Sequence, residues 1–221
     1  MSVPDCFVWT KFGTEAGQSI ADILRRKEDE RRANAGTFYW GIGNAIGPSV
    51  VELLRRLDSP EVLFSPIKSA ARKQDVAPES VVAWTTAFGL NGEPYALPPR
   101  SLITSRLNAD RQRHYALVCR SDTPLEGVIT STSHLDKVQP SEMRNLLSGR
   151  PLGSSQVTAV VVRNSPNAGT GLEYDVRFKA KLAPPYFIHL GDPIRIATDT
   201  TSDWAGSVRS LWNGECGCSR P

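Results

Sequence analysis

The residues from 173 to 182 alternate strictly between apolar and polar side chains, and this pattern constrains the fold strongly. In a β-strand successive side chains point to opposite faces, so this segment needs one face on a core and one in water. The apolar face would hold Tyr174, Val176, Phe178, Ala180 and Leu182, and the polar face Asp175, Arg177, Lys179 and Lys181. The run at 156–163 precedes it across a Gly/Asn/Pro loop, and the two runs together predict a β-hairpin.

The order of the other patterns favours an α+β fold. Short runs rich in β-forming residues occur at 7–10, 37–40 and 61–67. One helix is predicted at 15–35 and a second begins at Pro48, whereas the residues beyond 110 are mostly of β type. No βαβ unit repeats along the chain. We therefore predict a mixed, mostly antiparallel, β-barrel-like sheet with flanking helices.

The first predicted helix is rich in charge. Ser19 and Asp22 have the spacing of an N-terminal capping box with Asp in the acidic position. Asp22 with Arg26, and Glu28 with Arg32, are acid-to-base pairs four residues apart, which support an exposed helix. A charged, exposed helix can also dock a partner, so one hypothesis is a protein–protein adaptor. It would depend on Arg25, Arg26, Arg31 and Arg32.

Length and composition are those of a globular protein. The chain has 221 residues, of which 40% are hydrophobic and 22% charged, and this balance argues against a disordered chain. We divide it into a mixed α/β portion at 1–125, a β-rich portion at 126–200 in the same domain or a second one, and a loosely ordered tail at 201–221.

The compartment is predicted from what the sequence lacks. The first five residues have no basic or apolar character of a signal peptide, and no apolar run has the length of a membrane span. We expect a cytoplasmic protein with no membrane partner, whose four cysteines are reduced. Cys216 and Cys218 have no second close Cys or His pair, so no metal site is predicted, and no cofactor either.

A glycine-rich segment, from Gly41 to Gly47, follows a predicted strand and precedes a predicted helix. This arrangement can hold a phosphate on backbone N–H groups, for which Gly41 and Gly43 are the candidates. The dinucleotide fingerprint would have its third glycine one position earlier, and a tight structural turn explains the glycines equally. A second hypothesis is therefore an enzyme that acts on a nucleotide or a small phosphorylated substrate.

Three tryptophans, Trp9, Trp40 and Trp84, lie in or beside predicted strands of the first half. Indole rings can stack a base, and they also fill protein cores, so both interpretations stay open. The net charge of +3 is mildly basic. Arg106, Arg111 and Arg113 have few acidic neighbours and could hold a phosphate backbone.

The N-terminal 5–125 region resembles the PUA-like superfamily, which includes EVE, YTH and ASCH domains. The resemblance lies in three segments: the aromatic strand Phe7-Val8-Trp9-Thr10-Lys11 followed by a helix, the strand and turn Phe38-Tyr39-Trp40-Gly41-Ile42-Gly43, and Thr104-Ser105-Arg106 ahead of the strand at 114–120. Members of this superfamily are small β-barrels with flanking helices, and many bind RNA or modified DNA. The resemblance implies an aromatic base pocket, with Trp9, Trp40 and Trp84 as the residues carried over.

The leading hypothesis is therefore a DNA- or RNA-binding protein that accommodates a base, including a modified one, in an aromatic pocket. Trp9 and Trp40 would stack the base, while Lys11, Asn44 and Ser65 would read its edge by hydrogen bonds. The nucleotide enzyme and the adaptor remain alternatives, and no catalytic residue is singled out by spacing.

Overall fold

The computed structural model describes a subset of the residues, in the ranges 6–13, 18–43, 46, 48–66, 81–98, 101, 103–106, 114–125, 131–138, 150–151, 159–164 and 173–195. Several predicted features lie outside these ranges, namely Asn44, Arg111, Arg113 and the tail at 201–221. Of Arg106 only the backbone is described.

Two helices and twelve strands are assigned among these described residues. The helices are α1 (Ile20–Ala33) and α2 (Pro48–Arg56). The strands of the first half are β1 (Cys6–Phe12), β2 (Thr37–Gly43), β3 (Glu61–Pro66), β4 (Val81–Phe88), β5 (Pro94–Tyr95) and β6 (Ile103–Arg106). The later strands are β7 (His114–Arg120), β8 (Ser131–Lys137), β9 (Arg150–Pro151), β10 (Val160–Asn164), β11 (Glu173–Val176) and β12 (Phe178–Arg195). The α+β composition that the sequence predicted is confirmed.

The strands form one mixed sheet in the order β11-β8-β10-β1-β3-β12-β4-β5, with β7 and β2 branching from β12. β1 and β3 are parallel, and the other pairs assigned among the described strands are antiparallel. The described strands do not close into a barrel, which corrects the barrel-like expectation. β12 instead pairs with β3 through residues 178–181, with β7 through 181–182 and 187–190, and with β4 through residues between 189 and 195, so it links the branches. Strands from both portions of the chain share this sheet.

The predicted hairpin between the runs at 156–163 and 173–182 does not form. β10 pairs with β1 and β8, whereas β11 pairs with β8 and β12 pairs with β3. The alternation itself was predicted correctly, because Val176, Phe178, Ala180 and Leu182 are buried. The pattern determines which face of a strand is apolar, but it does not determine which neighbour supplies the hydrogen bonds.

The described residues form three apolar clusters on the two faces of the sheet. The largest, the main core, joins α1 and α2 to one face and contains the stacked pair Phe64 and Phe178, whose ring centroids are 4.2 Å apart. The other face carries two smaller clusters, one around Trp9 and one around Trp84. Because neighbouring residues of a strand alternate between faces, Val8 and Phe12 lie in the main core while Trp9 lies in a smaller cluster.

The predicted cap of α1 is confirmed, since the Ser19 hydroxyl accepts a hydrogen bond from the backbone N–H of Asp22 at 3.1 Å. The helix is less exposed than its charges predicted. Lys27, Glu28 and Glu30 are buried, and Arg26 donates to Gln18 Oε1 at 3.1 Å in place of the predicted pairing with Asp22. Asp22 pairs with Arg25 at 3.2 Å instead. α1 therefore joins the sheet through charged side chains as well as apolar ones.

Candidate functional site

Three of the predicted pocket residues, Trp9, Lys11 and Ser65, do lie together. β1 and β3 run parallel with Trp9 opposite Leu63 and Lys11 opposite Ser65, so all of them project from one face. The indole N–H of Trp9 donates to Ser65 Oγ at 2.9 Å, and Lys11 Nζ lies 5.6 Å from the centre of the Trp9 ring, within cation–π range. Burial lowers the pKa of Lys11.

This group is closed to a ligand in the present conformation. Trp9 and Ser65 both have 0% of their surface exposed. Leu63, Leu135 and Val176 pack around the indole together with residues of β10. The Trp9–Ser65 hydrogen bond therefore satisfies a polar atom inside an apolar cluster, as buried indole N–H groups require.

Trp40 lies on the opposite face of the sheet, in the main core. Its ring packs against Phe12, Phe64 and Phe178 at centroid distances of 5.6, 4.7 and 5.9 Å, and the residue is 6% exposed. Trp9 and Trp40 thus cannot stack the two sides of one base in this arrangement. The resemblance that paired them carried no information about which face of the sheet each ring occupies.

Trp84 belongs to the third cluster, beside Ile103 and Ile188. It is 7% exposed and stacks on the imidazole of His114, with ring centroids 4.7 Å apart and planes 29° from parallel. The three tryptophans therefore fill three separate clusters, and the interpretation of them as core residues describes their positions better than a shared cage does.

The predicted phosphate glycines are strand residues. β2 continues to Gly43, with Gly41 opposite Ala116 and Gly43 opposite Tyr115 on β7. A methyl group at Gly41 would lie 3.3 Å from Ile103 Cγ2, so a close approach of β6 accounts for this glycine. In the remainder of the predicted loop, Ile46 packs against the main core, and residues 44, 45 and 47 lie outside the described residues.

Sequence reasoning missed an aromatic row that crosses three adjacent strands. Phe88 of β4 lies opposite His189 of β12, which in turn lies opposite Tyr115 of β7. The ring centroids of Phe88 and His189 are 6.3 Å apart, and those of His189 and Tyr115 are 5.5 Å apart. All three side chains are partly exposed, unlike the tryptophans. We call these three residues the aromatic row.

The local backbone of β12 fixes one end of the aromatic row. A methyl group on Gly191 would lie 2.9 Å from the Phe88 ring and 3.0 Å from Thr86 Oγ1, so the absence of a side chain there lets the ring lie close to the strand. The next residue, Asp192, has a positive φ of 50° and accepts a hydrogen bond from Thr86 Oγ1 at 2.9 Å. At the other end, Tyr115 packs edge-on against Phe187 with centroids 6.3 Å apart.

The alternation of side chains along β7 could have indicated Tyr115 as a site residue. Tyr115 lies near the start of the strand, on the same face as Leu117 and Cys119. The row itself could not be predicted, since its members are separated by many residues and meet only through strand register.

A cluster of buried charges lies where α1 meets β2. Lys27 Nζ is 2.6 Å from Glu30 Oε2, and these side chains are 4% and 0% exposed. The other Glu30 oxygen accepts the backbone N–H of Tyr39 at 3.2 Å. Burial, partly offset by Glu30, lowers the pKa of Lys27 to about 8, and burial raises the pKa of the nearby Cys119 thiol. We call Lys27 and Glu30 the buried ion pair.

A second carboxylate on the same helix, Glu28, binds Arg31, Arg32 and the backbone N–H of Leu125. The hydrogen bonds from Arg31 are the main reason that the pKa of Glu28 falls to about 2. Arg25, Arg31 and Arg32, on which the adaptor hypothesis depends, therefore form intrahelical ion pairs. The fourth, Arg26, is partly buried and donates to Gln18.

Within the described ranges, no group of three His, Cys, Asp or Glu side chains is arranged to hold a metal ion. In the same ranges, neither helix has the length and apolar character needed to cross a bilayer. Comparisons with protein-family models, with curated proteins and with solved structures each gave no match.

Proposed function

We propose that this protein binds single-stranded nucleic acid and stacks a base on the aromatic row. The observation that carries the proposal is the alignment of Phe88, His189 and Tyr115 in one register row of the sheet, with each ring partly exposed. Aromatic side chains on a sheet are a common platform for unpaired bases, because every base presents a π-face to stack on.

The rings are held in place before any ligand arrives. Gly191 gives room for Phe88, and Tyr115 is supported by Phe187 and by the main core. A platform whose rings already have fixed positions loses little side-chain entropy when a base stacks on it. The net charge of +3 is compatible with a polyanionic partner.

The aromatic row supports a base-binding role better than the tryptophans do. Trp9, Trp40 and Trp84 would each have to leave a separate cluster before a base could reach them. The same geometry favours base binding over the two alternatives. The glycines proposed for a nucleotide enzyme continue a strand, and the arginines proposed for an adaptor are engaged along α1.

The test is fluorescence anisotropy with labelled single-stranded RNA and DNA of mixed sequence, with and without a methylated base, and with a duplex of the same sequence. Base stacking contributes about 1–3 kcal/mol per base, so Phe88→Ala and His189→Ala should each weaken single-strand binding about tenfold. Leu90→Ala is the matched control, because Leu90 is apolar, close in sequence to Phe88 and 56% exposed.

Tyr115 is left intact in this experiment because it also packs against the main core. Circular dichroism and thermal melting establish that the variants fold. The proposal fails if the wild-type protein binds none of the oligonucleotides, or if folded Phe88→Ala and His189→Ala proteins bind as tightly as Leu90→Ala.

A further inference from the structure

Three exposed cations lie side by side on the face of β12 that carries the polar residues of its first half. Lys181 is directly opposite Arg120 of β7, and Lys179 lies two residues before Lys181 on the same face of β12. The side chains of Arg120 and Lys179 are 58% and 64% exposed, and Lys181 is exposed as well. We call Arg120, Lys179 and Lys181 the basic strip.

Pairing within the fold accounts for only part of this arrangement. Lys179 lies 3.4 Å from Glu61, and Arg120 lies 3.8 Å from the exposed Asp122, which is near the upper limit for an ion pair. Glu61 is also opposite Lys181 in the register, but its ion pair is with Lys179. Like charges directly opposite each other across strands destabilise a sheet, so Lys181 and Arg120 impose a cost that an anion between them would remove.

The spacing suits a chain of negative charges. Paired strands lie about 4.8 Å apart and alternate residues of a strand about 6.6 Å apart, so the cations form a compact triangle on a flat surface. A polyanion that runs along β12 could contact all three, whereas a single small anion would contact one pair. Long, mobile Lys and Arg side chains on an open strand face suit backbone phosphates, which need no shaped pocket.

We propose that the basic strip binds the phosphodiester backbone of the nucleic acid. The inference rests on the proposed function for the identity of the partner, but it concerns a different surface. His189 projects from the main-core face of the sheet, whereas Lys181 shares the other face with Arg120, and β12 changes register between Leu182 and Phe187. Because the two surfaces lie on opposite faces of the sheet, the strip contacts phosphates of a different segment from the one whose base stacks on the aromatic row, and these charge contacts do not depend on sequence.

The experiment measures oligonucleotide affinity as a function of salt concentration. For single strands, log Kobs falls against log salt with a slope of about 0.7 per phosphate contact, so the double variant Lys181→Gln/Arg120→Gln should reduce the slope by about 1.4. The control is Arg25→Gln, which removes a cation of 66% side-chain exposure on α1 and should leave the slope unchanged. Lys181→Gln alone, with an expected loss of about 0.7, serves if the double variant does not fold.

A wild-type slope in the strip variants would overturn the inference, and so would an equal loss in Arg25→Gln, because net charge alone would then account for the effect. Strip-dependent binding to vesicles of anionic phospholipid, with no oligonucleotide binding, would also overturn it in favour of a membrane surface. If His189→Ala still weakens oligonucleotide binding while the strip variants keep the wild-type salt slope, the role of the strip is rejected and the proposed function stands. Absence of all oligonucleotide binding would reject both.

Discussion

The buried ion pair between Lys27 and Glu30 gives the sharpest prediction about stability. Glu30→Gln removes the negative charge but keeps an amide oxygen that can still accept the N–H of Tyr39. The ammonium of Lys27, which is 4% exposed, then loses its carboxylate, while the Arg26 guanidinium still repels it. Removing one partner of a buried pair costs about 3–5 kcal/mol, a large share of the stability of an ordinary domain.

The matched variants separate charge from packing. Lys27→Met keeps most of the aliphatic stem and leaves Glu30 near Arg26, so its cost should be smaller than that of Glu30→Gln. The double variant Lys27→Met/Glu30→Gln buries no unpaired charge from this pair. We expect it to be more stable than Glu30→Gln alone, with a coupling free energy of about 1–3 kcal/mol.

The pH dependence of Glu30→Gln follows from the pKa of Lys27. Burial already lowers that pKa from 10.5 to about 8 in the folded protein, and loss of the Glu30 charge lowers it further. Below 10.5 the unfolded chain then binds more protons at Lys27 than the folded chain does, so stability increases with pH. As the pH is raised from 7 toward 10, the free energy of unfolding of the Glu30→Gln variant should therefore increase more than that of the wild type, and the difference between the two proteins should become smaller.

Urea unfolding followed by tryptophan fluorescence measures these differences, with the transition midpoint compared at constant m-value. A loss below about 1 kcal/mol for Glu30→Gln would refute the reasoning, since it would place the pair in a wetter site than its exposure indicates. Strict additivity of the two single variants would refute it as well, because the residues would then not be coupled.

Three further predictions concern other parts of the molecule. The pKa of Glu28 is lowered from 4.5 to about 2, so the stability that Glu28 contributes is complete above pH 4.5 and is lost as the pH falls toward 2. Urea unfolding between pH 5 and 2 should show this loss, and the free energy of unfolding of the Glu28→Gln variant should depend less on pH in this range. Ser65→Ala should cost about 1–3 kcal/mol because it leaves the buried Trp9 N–H without an acceptor, and an unchanged melting temperature would contradict that hydrogen bond. Gly191→Ala should destabilise the protein by about 1–3 kcal/mol by pushing against Phe88, and a neutral result in a thermal melt would mean that the ring moves freely.

The buried charges show how far local patterns can mislead. In the sequence of the predicted helix, Lys27 and Glu30 belong to a run of charged residues that is typical of a solvent-exposed surface. They are buried because β2 is an edge strand on this side among the described strands, and the Glu30 carboxylate accepts the outward N–H of Tyr39. The Glu30 carboxylate thus satisfies a backbone group at a sheet edge and is paired with Lys27, which a pattern along one helix cannot indicate.

The sequence by itself determined the elements that depend on neighbouring residues. The alternation from 173 to 182 decided which side chains face a core, and Ser19 caps the N-terminus of α1. The run at 114–120 forms a strand with those bounds. Only the tertiary structure decided what depends on partners. It placed Trp9 and Trp40 on opposite faces and brought Phe88, His189 and Tyr115 into one row. The physical reason is that side-chain period is local, whereas strand register and the meeting of faces are set by contacts between distant segments.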